Sequence, residues 1–363
     1  MITNVGPHYR LPIYKRLSEI FCCDFFLGDN MLMPIKKFNY EDLPYYKATL
    51  KNHFLKYFYW QSGSVRLTFK QYSTYILDGE PYCLSSWIIL ILAKIKGKKT
   101  VAWTHGWYGR ESLVKRIIKK AFYHLFSYLM VYSEYAINLM VKEGFSRQKM
   151  FCIANSLDSD NEKTIREKLK ESNVYSKHFN NTYPTIIYCG RIQKVKKLHL
   201  IIDSIRILKD EGIITNVVFV GKDIDGVDLP AVARQKGVTD QIWMYGPCYD
   251  DEKLAELFYN ASACVSPGNI GLTTIHALSF GCPAITHNNF ANQMPEFEAI
   301  KPGITGDFFQ EDNCKDLAEK IRPWLFLTSE QREETRKAAF AEIDKKWNIH
   351  YQIDIIKQVL NAN

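Results

Sequence analysis

The 363-residue sequence lacks several features that would assign it to particular classes of protein. No apolar run reaches the roughly 18 residues of a membrane-spanning helix, and the stretch "WIILILAKIKGKK" is too short and ends in lysines. The amino terminus has no basic leader followed by an apolar segment, so no signal peptide is expected. No motif of interleaved basic and aromatic residues points to nucleic acid as a partner.

The nine cysteines are odd in number and have no paired spacing of the kind that binds zinc. Most lie in apolar, strand-like segments, as Cys152, Cys189 and Cys264 do. We therefore expect buried thiols in a reducing cytoplasm and no metal site. The net charge of +8 is moderate and is compatible with a nucleotide, a nucleic acid or an anionic membrane surface.

Strand-like and helix-like segments alternate along the chain, which is typical of parallel sheets with helices on both faces. The polar stretch 156–182 interrupts the pattern and reads as a linker. The predicted fold class is α/β, with two doubly wound, Rossmann-like domains that face each other across a cleft. Segment 54–60, "FLKYFYW", is predicted as one strand, and helices are predicted at 84–95, 112–126, 198–209 and 252–259.

One candidate site follows the strand "TIIYC", which ends at Gly190 and Arg191, with Lys196 five residues further on. Glycine lets the backbone approach a ligand closely, arginine offers a planar fork for phosphate, and lysine offers a point charge. These residues are candidates for a diphosphate clamp. The alternative is a solvated basic turn formed by Lys194, Lys196 and Lys197.

A second candidate lies in "VSPGNIGLTTIHALSFGCP", residues 265–283, where a strand, a turn with Gly268 and Asn269, and a helix follow one another. The first turn of a helix has unpaired amides and a partial positive charge, and a glycine-bearing entrance lets a phosphate reach them. Gly271, Leu272 and Thr273 are predicted to offer amides, and Thr273 also a hydroxyl. An ordinary strand-to-helix turn is the alternative.

In the first half, "VAWTHGWYGR" places His105 directly after a strand, where it could donate to a sugar hydroxyl or a phosphate oxygen. A purely structural histidine is the alternative. Gly6, in "VGPHYRLPIY", follows the first strand and is predicted to allow close approach from the other side.

Taken in order, these motifs resemble the GT-B-fold glycosyltransferases of family four, retaining enzymes that use nucleotide sugars. The resemblance covers nearly the whole chain and rests on the segments "NVGPHYRLPIYKRL", "WTHG", "IANSLD", "CGRIQKVKKLHLIIDS", "MYGPCYDDEKLAELFYNASACVSP", "EAIKPGITGDFF" and "KWNIHYQIDIIKQVL". It implies an acceptor-binding domain at 1–165, a donor-binding domain at 166–345, and a helix at 346–363 that returns to the first domain.

The resemblance also implies roles for individual residues. Arg191 and Lys196 would hold the donor diphosphate, and His105 would contact the donor sugar near the reacting phosphate. The residues implied in donor binding are Gly6, Gly190, Cys248 in the loop 246–249 that borders the base, Gly268, Asn269, Gly271, Leu272, Thr273, His276 and Glu298.

The sequence departs from the family at two glutamates spaced eight residues apart, which are replaced here by Gly268 and His276. The first normally meets hydroxyls of the donor sugar, and the second meets the ribose. We expect His276 to take over the ribose contact; the alternative is a histidine that is simply packed against a helix of the second sheet. Asn269 or the polar loop "THNNFANQMPEFE" is expected to replace the sugar contact.

The sequence therefore predicts a cytoplasmic, metal-independent glycosyltransferase with a nucleoside-diphosphate sugar as donor and no cofactor. The expected acceptor is a growing surface glycan of capsule or lipopolysaccharide, either free or linked to a lipid. A nucleotide-sugar epimerase and a non-catalytic subunit of the same fold are the alternatives. The helix "ESLVKRIIKKAFYHLF" predicts peripheral contact with an anionic membrane at its inner face, or else a core-packed helix with a solvated basic side.

Overall fold

The computed structural model describes residues 1–32 and 35–362. The strands are β1 (Ile2–Thr3), β2 (Phe25–Gly28), β3 (Tyr46–Leu50), β4 (Asn52–Leu55), β5 (Phe58–Gln61), β6 (Thr74–Asp78), β7 (Lys99–Thr104), β8 (Tyr128–Val131), β9 (Met150–Cys152), β10 (Thr185–Cys189), β11 (Asn216–Val220), β12 (Ile242–Gly246), β13 (Ala263–Ser266), β14 (Ala284–His287) and β15 (Gly306–Phe309). The α-helices are α1 (Leu11–Phe21), α2 (Leu84–Ile95), α3 (Leu113–Tyr123), α4 (Glu134–Lys142), α5 (Ser159–Arg166), α6 (Val174–Phe179), α7 (His199–Asp210), α8 (Leu229–Lys236), α9 (Asp251–Asn260), α10 (Leu272–Ser279), α11 (Cys314–Leu325), α12 (Ser329–Lys346) and α13 (Ile349–Asn361).

The chain divides into two compact units, one made of Met1–Asp158 with the carboxyl-terminal segment from Asn348 onward, the other of Ser159–Trp347. The division therefore falls before α5, whereas the sequence placed a boundary at 165. Helix α5 packs on α9 and α10, and these contacts place it in the second unit. Helix α13 packs on α1 within the first unit.

The first unit is built on a parallel sheet with the strand order β3-β2-β1-β6-β7-β8-β9. Helices α2, α3 and α4 share one hydrophobic core, while α1 and α13 contribute to a second. Strand β1 has two residues, and Ile2 pairs with strands on both sides. The strand order reverses between β1 and β6, and ligands of such sheets bind outside the carboxyl ends of strands at such a point.

The second unit has a parallel sheet with the order β12-β11-β10-β13-β14-β15. One core gathers α7, α8 and α11, and another gathers α6, α9 and α10. The strand order reverses between β10 and β13, and the two candidate motifs of this half follow these two strands. The predicted α/β class with parallel sheets is confirmed.

Segment 54–60 differs from the sequence prediction of one strand. It lies across β4 and β5, which pair antiparallel as a hairpin, with Lys56 in the turn at a φ of 56°. The prediction was wrong because Lys56 adopts the left-handed conformation that reverses the chain, and lysine carries no turn signal. None of the described helices is both long enough and apolar enough to cross a membrane.

Candidate functional site

Gly190 and Arg191 follow β10 at the edge where the second sheet reverses its strand order. Gly190 has a φ of 145°, in a region that disfavours residues with a side chain. The backbone carbonyl of Arg191 accepts a hydrogen bond of 2.8 Å from the Tyr188 hydroxyl. The backbone of Arg191 is thus held in place, while the residue remains exposed to solvent.

The ammonium of Lys196 is half-buried and donates to the backbone oxygen of Asn269 at 2.6 Å and to its side-chain oxygen at 2.8 Å. The pKa of Lys196 is lowered to about 8, first by burial and next by the charge of Arg191, while Glu296 acts in the opposite direction. The charge of Arg191 is therefore near enough to act on Lys196. A half-buried lysine with a second, exposed cation nearby favours an anion between them.

Lys197 directly follows Lys196 in the same loop. Its φ is 51°, the left-handed region that glycine adopts without cost. Its ammonium lies 3.1 Å from Glu311 and 2.7 Å from Asp312, so it turns away into an ion-pair cluster. We infer that these contacts offset part of the backbone strain.

Gly268 is packed directly against the loop that carries Lys196. Its amide donates to the carbonyl of Lys196 at 3.0 Å. A Cβ atom at this position would lie 2.7 Å from the Cα of Lys196, with the backbone oxygen of Val195 closer still. The family's first glutamate therefore has no room at position 268.

The amino terminus of α10, which the sequence predicted to bind phosphate, lies beside the end of β10. The Thr273 hydroxyl donates to the carbonyl of Cys189 at 3.0 Å, which joins the two elements. This corrects one expectation, because the proton of that hydroxyl is already used and the backbone amide is what Thr273 can offer. Gln293 accepts from the amide of Ile270 at 2.8 Å and so fixes the turn before Gly271 and Leu272.

Sequence reasoning named Glu298 and missed Glu296. Glu298 lies 3.4 Å from Lys346, and its carbonyl accepts from Lys301. Glu296 is buried and acts electrostatically on Lys196, and its carboxylate would lie 4.0 Å from a Cβ at Gly271. The two glutamates are two residues apart, and only tertiary packing separates the one beside Lys196 from the other.

His276 lies in α10, where its Nδ1 forms a 2.6 Å hydrogen bond with Glu162 of α5. The other oxygen of Glu162 accepts from the Ser279 hydroxyl at 2.7 Å. Burial lowers the pKa of His276, but the hydrogen bond and charge of Glu162 outweigh this effect and raise it. Glu162 lies in the stretch that the sequence presented as a linker, and no local pattern marks it as a partner.

The remaining polar candidates are held in a network. The side chains of Asn289 and Asn292 donate to Glu311, and Gln293 donates to Thr286. Loop 246–249 follows β12 at the same sheet edge, and Cys248 contacts the carbonyl of Asp250 through its sulfur at 3.7 Å. The polar loop therefore shapes the entrance to α10 through Gln293, while the Asn289 and Asn292 amides are directed to Glu311.

In the first unit, the carboxyl ends of β1, β6 and β7 open into a cavity of about 630 Å³. His105 lines it, and its Nδ1 is buried without a hydrogen-bond partner among the described residues. Burial lowers the pKa of His105 to about 4, with Arg10 and Lys119 acting in the same direction, so the ring is neutral at pH 7. Gly6 lies nearby, where a Cβ would meet the rings of Phe38 and Tyr40 at 2.8 Å.

The comparisons with known proteins bear on both units. Residues 170–342 match the family model described as Glycosyl transferases group 1. Three solved structures align over the whole chain: HepE of Anabaena with UDP (TM-score 0.73, 14% identity, 99% of each chain), a glycosyltransferase of Rickettsia africae (0.73, 14%, 100% of this chain and 99% of the other) and the lipopolysaccharide outer core galactosyltransferase WaaB (0.68, 15%, 99% and 98%). A comparison with curated protein sequences gave no match.

These findings define the class of the protein. The alignments establish the fold as that of the GT-B glycosyltransferases. The family match falls within the unit that holds Arg191, Lys196 and α10. The protein is therefore an enzyme, a glycosyltransferase of the GT-B fold.

Proposed function

We propose that the enzyme transfers a sugar from a nucleoside-diphosphate sugar to a hydroxyl of a glycan acceptor, with the anomeric configuration retained and without a metal ion. The second unit would bind the donor and the first unit the acceptor. HepE has been crystallised with UDP, and a further structure of it contains UDP-glucose, which makes uridine nucleotides the first to test.

The observation that carries this proposal is the combination of Lys196, Arg191 and the first turn of α10 in one place. As the bond to the sugar breaks, negative charge builds on the diphosphate that leaves. A lysine, an arginine and the amides of Gly271, Leu272 and Thr273 would stabilise that charge, and preorganised charge of this kind is often the largest contribution to catalysis.

The donor is tested by incubating the purified protein with a panel of nucleotide sugars and no acceptor. A transferase that hydrolyses its donor slowly releases free sugar and nucleoside diphosphate. An epimerase would instead convert the nucleotide sugar into an isomer, and a non-catalytic protein would leave every donor intact. Turnover that persists in EDTA would support the metal-free mechanism, and NMR of the released or transferred sugar would report its anomeric configuration.

The acceptor that we propose is a growing surface glycan, carried on a lipid or on a polysaccharide. The structural similarity to WaaB, a lipopolysaccharide outer core galactosyltransferase, supports this direction. Incorporation of labelled sugar into lipid extracts and into polysaccharide fractions would identify the acceptor class. Labelling of neither fraction would rule out this part of the proposal.

We also propose peripheral contact with the inner face of the membrane through α3. Leu113, Val114 and Ile117 are 69%, 66% and 61% exposed, although they are aliphatic. Phe122 is buried in the core, so only some of the apolar residues of the helix are exposed to solvent. Lys119 pairs with Glu111 at 2.7 Å, so its charge is already matched.

The charge around α3 favours an anionic surface. Residues 43–133 contain 14 lysines and arginines but three acids, Asp78, Glu80 and Glu111. All three acids line the cavity of the first unit, while Arg116 of α3 pairs with Glu143 at 2.8 Å, so the cationic surface of this stretch rests on its other lysines and arginines. Exposed aliphatic residues among cations are typical of helices that lie at a lipid interface.

A further inference from the structure

The cavity of the first unit contains a buried cation, Arg10, which is 8% exposed. Arg10 ends the short 3₁₀ turn His8–Arg10, directly before α1. Its guanidinium carbon lies 4.8 Å from the ring centre of Trp103 and 5.1 Å from that of Tyr132, and one NH₂ group donates to the Tyr132 hydroxyl. The two rings hold the guanidinium in one orientation on the cavity wall.

The charge of Arg10 has no close counterion. No carboxylate of the described residues lies within 4.0 Å of the guanidinium, and of its five N–H groups only those of one nitrogen meet an acceptor, the Tyr132 hydroxyl. A buried, unpaired cation is costly unless an anion completes it. The arrangement is therefore half of an ion pair on the wall of the cavity.

Glu111 and Asp78, two of the three acids of the same cavity, accept hydrogen bonds from groups other than Arg10. Glu111 accepts from Lys119 and from the amides of Tyr108 and Gly109. Asp78 accepts from the amide of Asn4, and burial raises its pKa to about 7 although Arg10 pulls it down. Neither carboxylate therefore neutralises Arg10 by direct contact.

We propose that Arg10 forms an anion subsite in this cavity. It would bind a carboxylate or phosphate group of a sugar substrate that occupies the cavity. Planar arginine suits such groups because it can meet two oxygens at once. The ring of His105 lies 4.7 Å from the ring of Tyr132, the residue that holds Arg10, so the same sugar would meet His105 on the wall of the cavity. This inference rests on the proposed transferase function.

Two arms of one experiment identify the sugar that carries the anion. In the first, glucose 1-phosphate, glucuronate and glucose are titrated by calorimetry into the enzyme saturated with UDP, so that the donor phosphate site is filled. In the second, UDP-glucuronate and UDP-glucose are titrated into the free enzyme. We expect the acidic probe of at least one arm to bind tenfold or more tightly than its neutral counterpart; the first arm then assigns the anion to the acceptor, the second to the donor sugar.

Variants test whether Arg10 is responsible. Arg10→Gln is expected to remove the tenfold preference and to leave the affinity for UDP unchanged. Arg110→Gln is the matched control, because Arg110 lines the same cavity but is exposed, and it should change the preference by less than twofold. If Arg10→Gln fails to fold, Arg10→Lys can be tested in its place. It keeps the charge and should retain part of the preference for the acidic probe.

Three results would overturn the inference. These are equal binding of acidic and neutral probes to the unmodified enzyme in both arms, an unchanged preference in Arg10→Gln, or a loss of UDP affinity in that variant as large as the loss of the acidic probe. Failure of the proposed function looks different, because no nucleotide sugar of the panel would then release free sugar and nucleoside diphosphate. Both arms of the titration measure binding, so their results do not depend on turnover.

Discussion

The ammonium nitrogen of Lys196 lies 2.6 Å from the backbone carbonyl oxygen of Asn269 and 2.8 Å from its side-chain oxygen. This contact ties the loop after β10 to the loop that leads into α10. The amide of Gly268 strengthens the same junction from the other side through the carbonyl of Lys196. The cation and the helix terminus are therefore held together before any ligand binds, which is what electrostatic stabilisation of a leaving group requires.

The packing at Gly268 predicts that this position tolerates no side chain. Gly268→Ala should lower the free energy of unfolding by about 1–3 kcal/mol, the usual cost of forcing atoms into a packed site. Gly268→Glu should lower it further and should not raise activity, although it restores the carboxylate of the family. Urea denaturation measures the effect.

Gly271→Ala is the control for stability, because a Cβ there would make only ordinary contacts, the nearest at 3.7 Å to Met294. A Gly268→Glu enzyme with unchanged stability and higher turnover would contradict the close packing.

Lys196 predicts how nucleotide affinity depends on pH. Its pKa is lowered to about 8, mainly by burial and next by Arg191, so the free enzyme loses this charge as the pH rises through 8. A diphosphate favours the charged form, which raises the pKa in the complex. Binding of UDP should therefore take up a proton between pH 8 and 9, and affinity should fall above pH 8.

Calorimetry in buffers of different ionisation enthalpy measures this proton uptake. Lys196→Arg is the matched variant, since arginine keeps its charge throughout, and it should bind UDP with the same affinity at pH 7 and pH 9. Constant affinity of the unmodified enzyme over this range would show that Lys196 does not meet the diphosphate.

Variants at His276 and at the other partner of Glu162 distinguish two roles of His276, binding the nucleotide and anchoring α10 to α5. His276→Ala should weaken UDP binding by about 1–2 kcal/mol if the imidazole also bonds the ribose. It should lower stability too, because Glu162 is buried and loses a partner. Ser279→Ala removes the other partner of Glu162 and should lower stability with UDP affinity unchanged. Equal UDP affinity in both variants would leave His276 as an anchor between α5 and α10.

The exposed residues of α3 predict binding to anionic lipid. Val114→Asp combined with Ile117→Asp should reduce co-sedimentation with vesicles of anionic phospholipid at low salt by tenfold or more. Ile224→Asp is the control, since Ile224 is an exposed isoleucine in the second unit. The membrane proposal fails if the unmodified protein stays in solution with such vesicles.

The sequence predicted the helices and the alternation of strands and helices well where the hydrophobic pattern extends over many residues. Helix α2 begins and ends at the predicted residues 84 and 95, and α10 follows the glycine-bearing turn as predicted. These segments follow local rules, namely an apolar stripe or a glycine-bearing entrance followed by a glycine stop. The hairpin of β4 and β5 was missed because its turn at Lys56 has no such signal.

The candidate site was only partly predictable because several of its contacts join residues far apart in the chain. Glu162 meets His276 across 114 residues, and nothing around Glu162 distinguishes it from the acids of a solvated linker. In the sequence, Gly268 is recognisable only as the replacement of a family glutamate. The structure gives the reason for a glycine, because the backbone of Lys196 packs directly against this position. Glu296 and Glu298 are equivalent by pattern, and only their packing places one of them beside Lys196.

The central claim is that Lys196 and Arg191 stabilise the departing diphosphate, and the most direct test is the rate of donor turnover in single alanine variants. Once a donor has been found, Lys196→Ala and Arg191→Ala should each lower turnover by 10² or more, which corresponds to about 2.7 kcal/mol in the barrier. Lys194→Ala, an exposed lysine of the same loop, should stay within about twofold of the unmodified enzyme on this account. Near-normal turnover in both Lys196→Ala and Arg191→Ala, with folding intact, would contradict it.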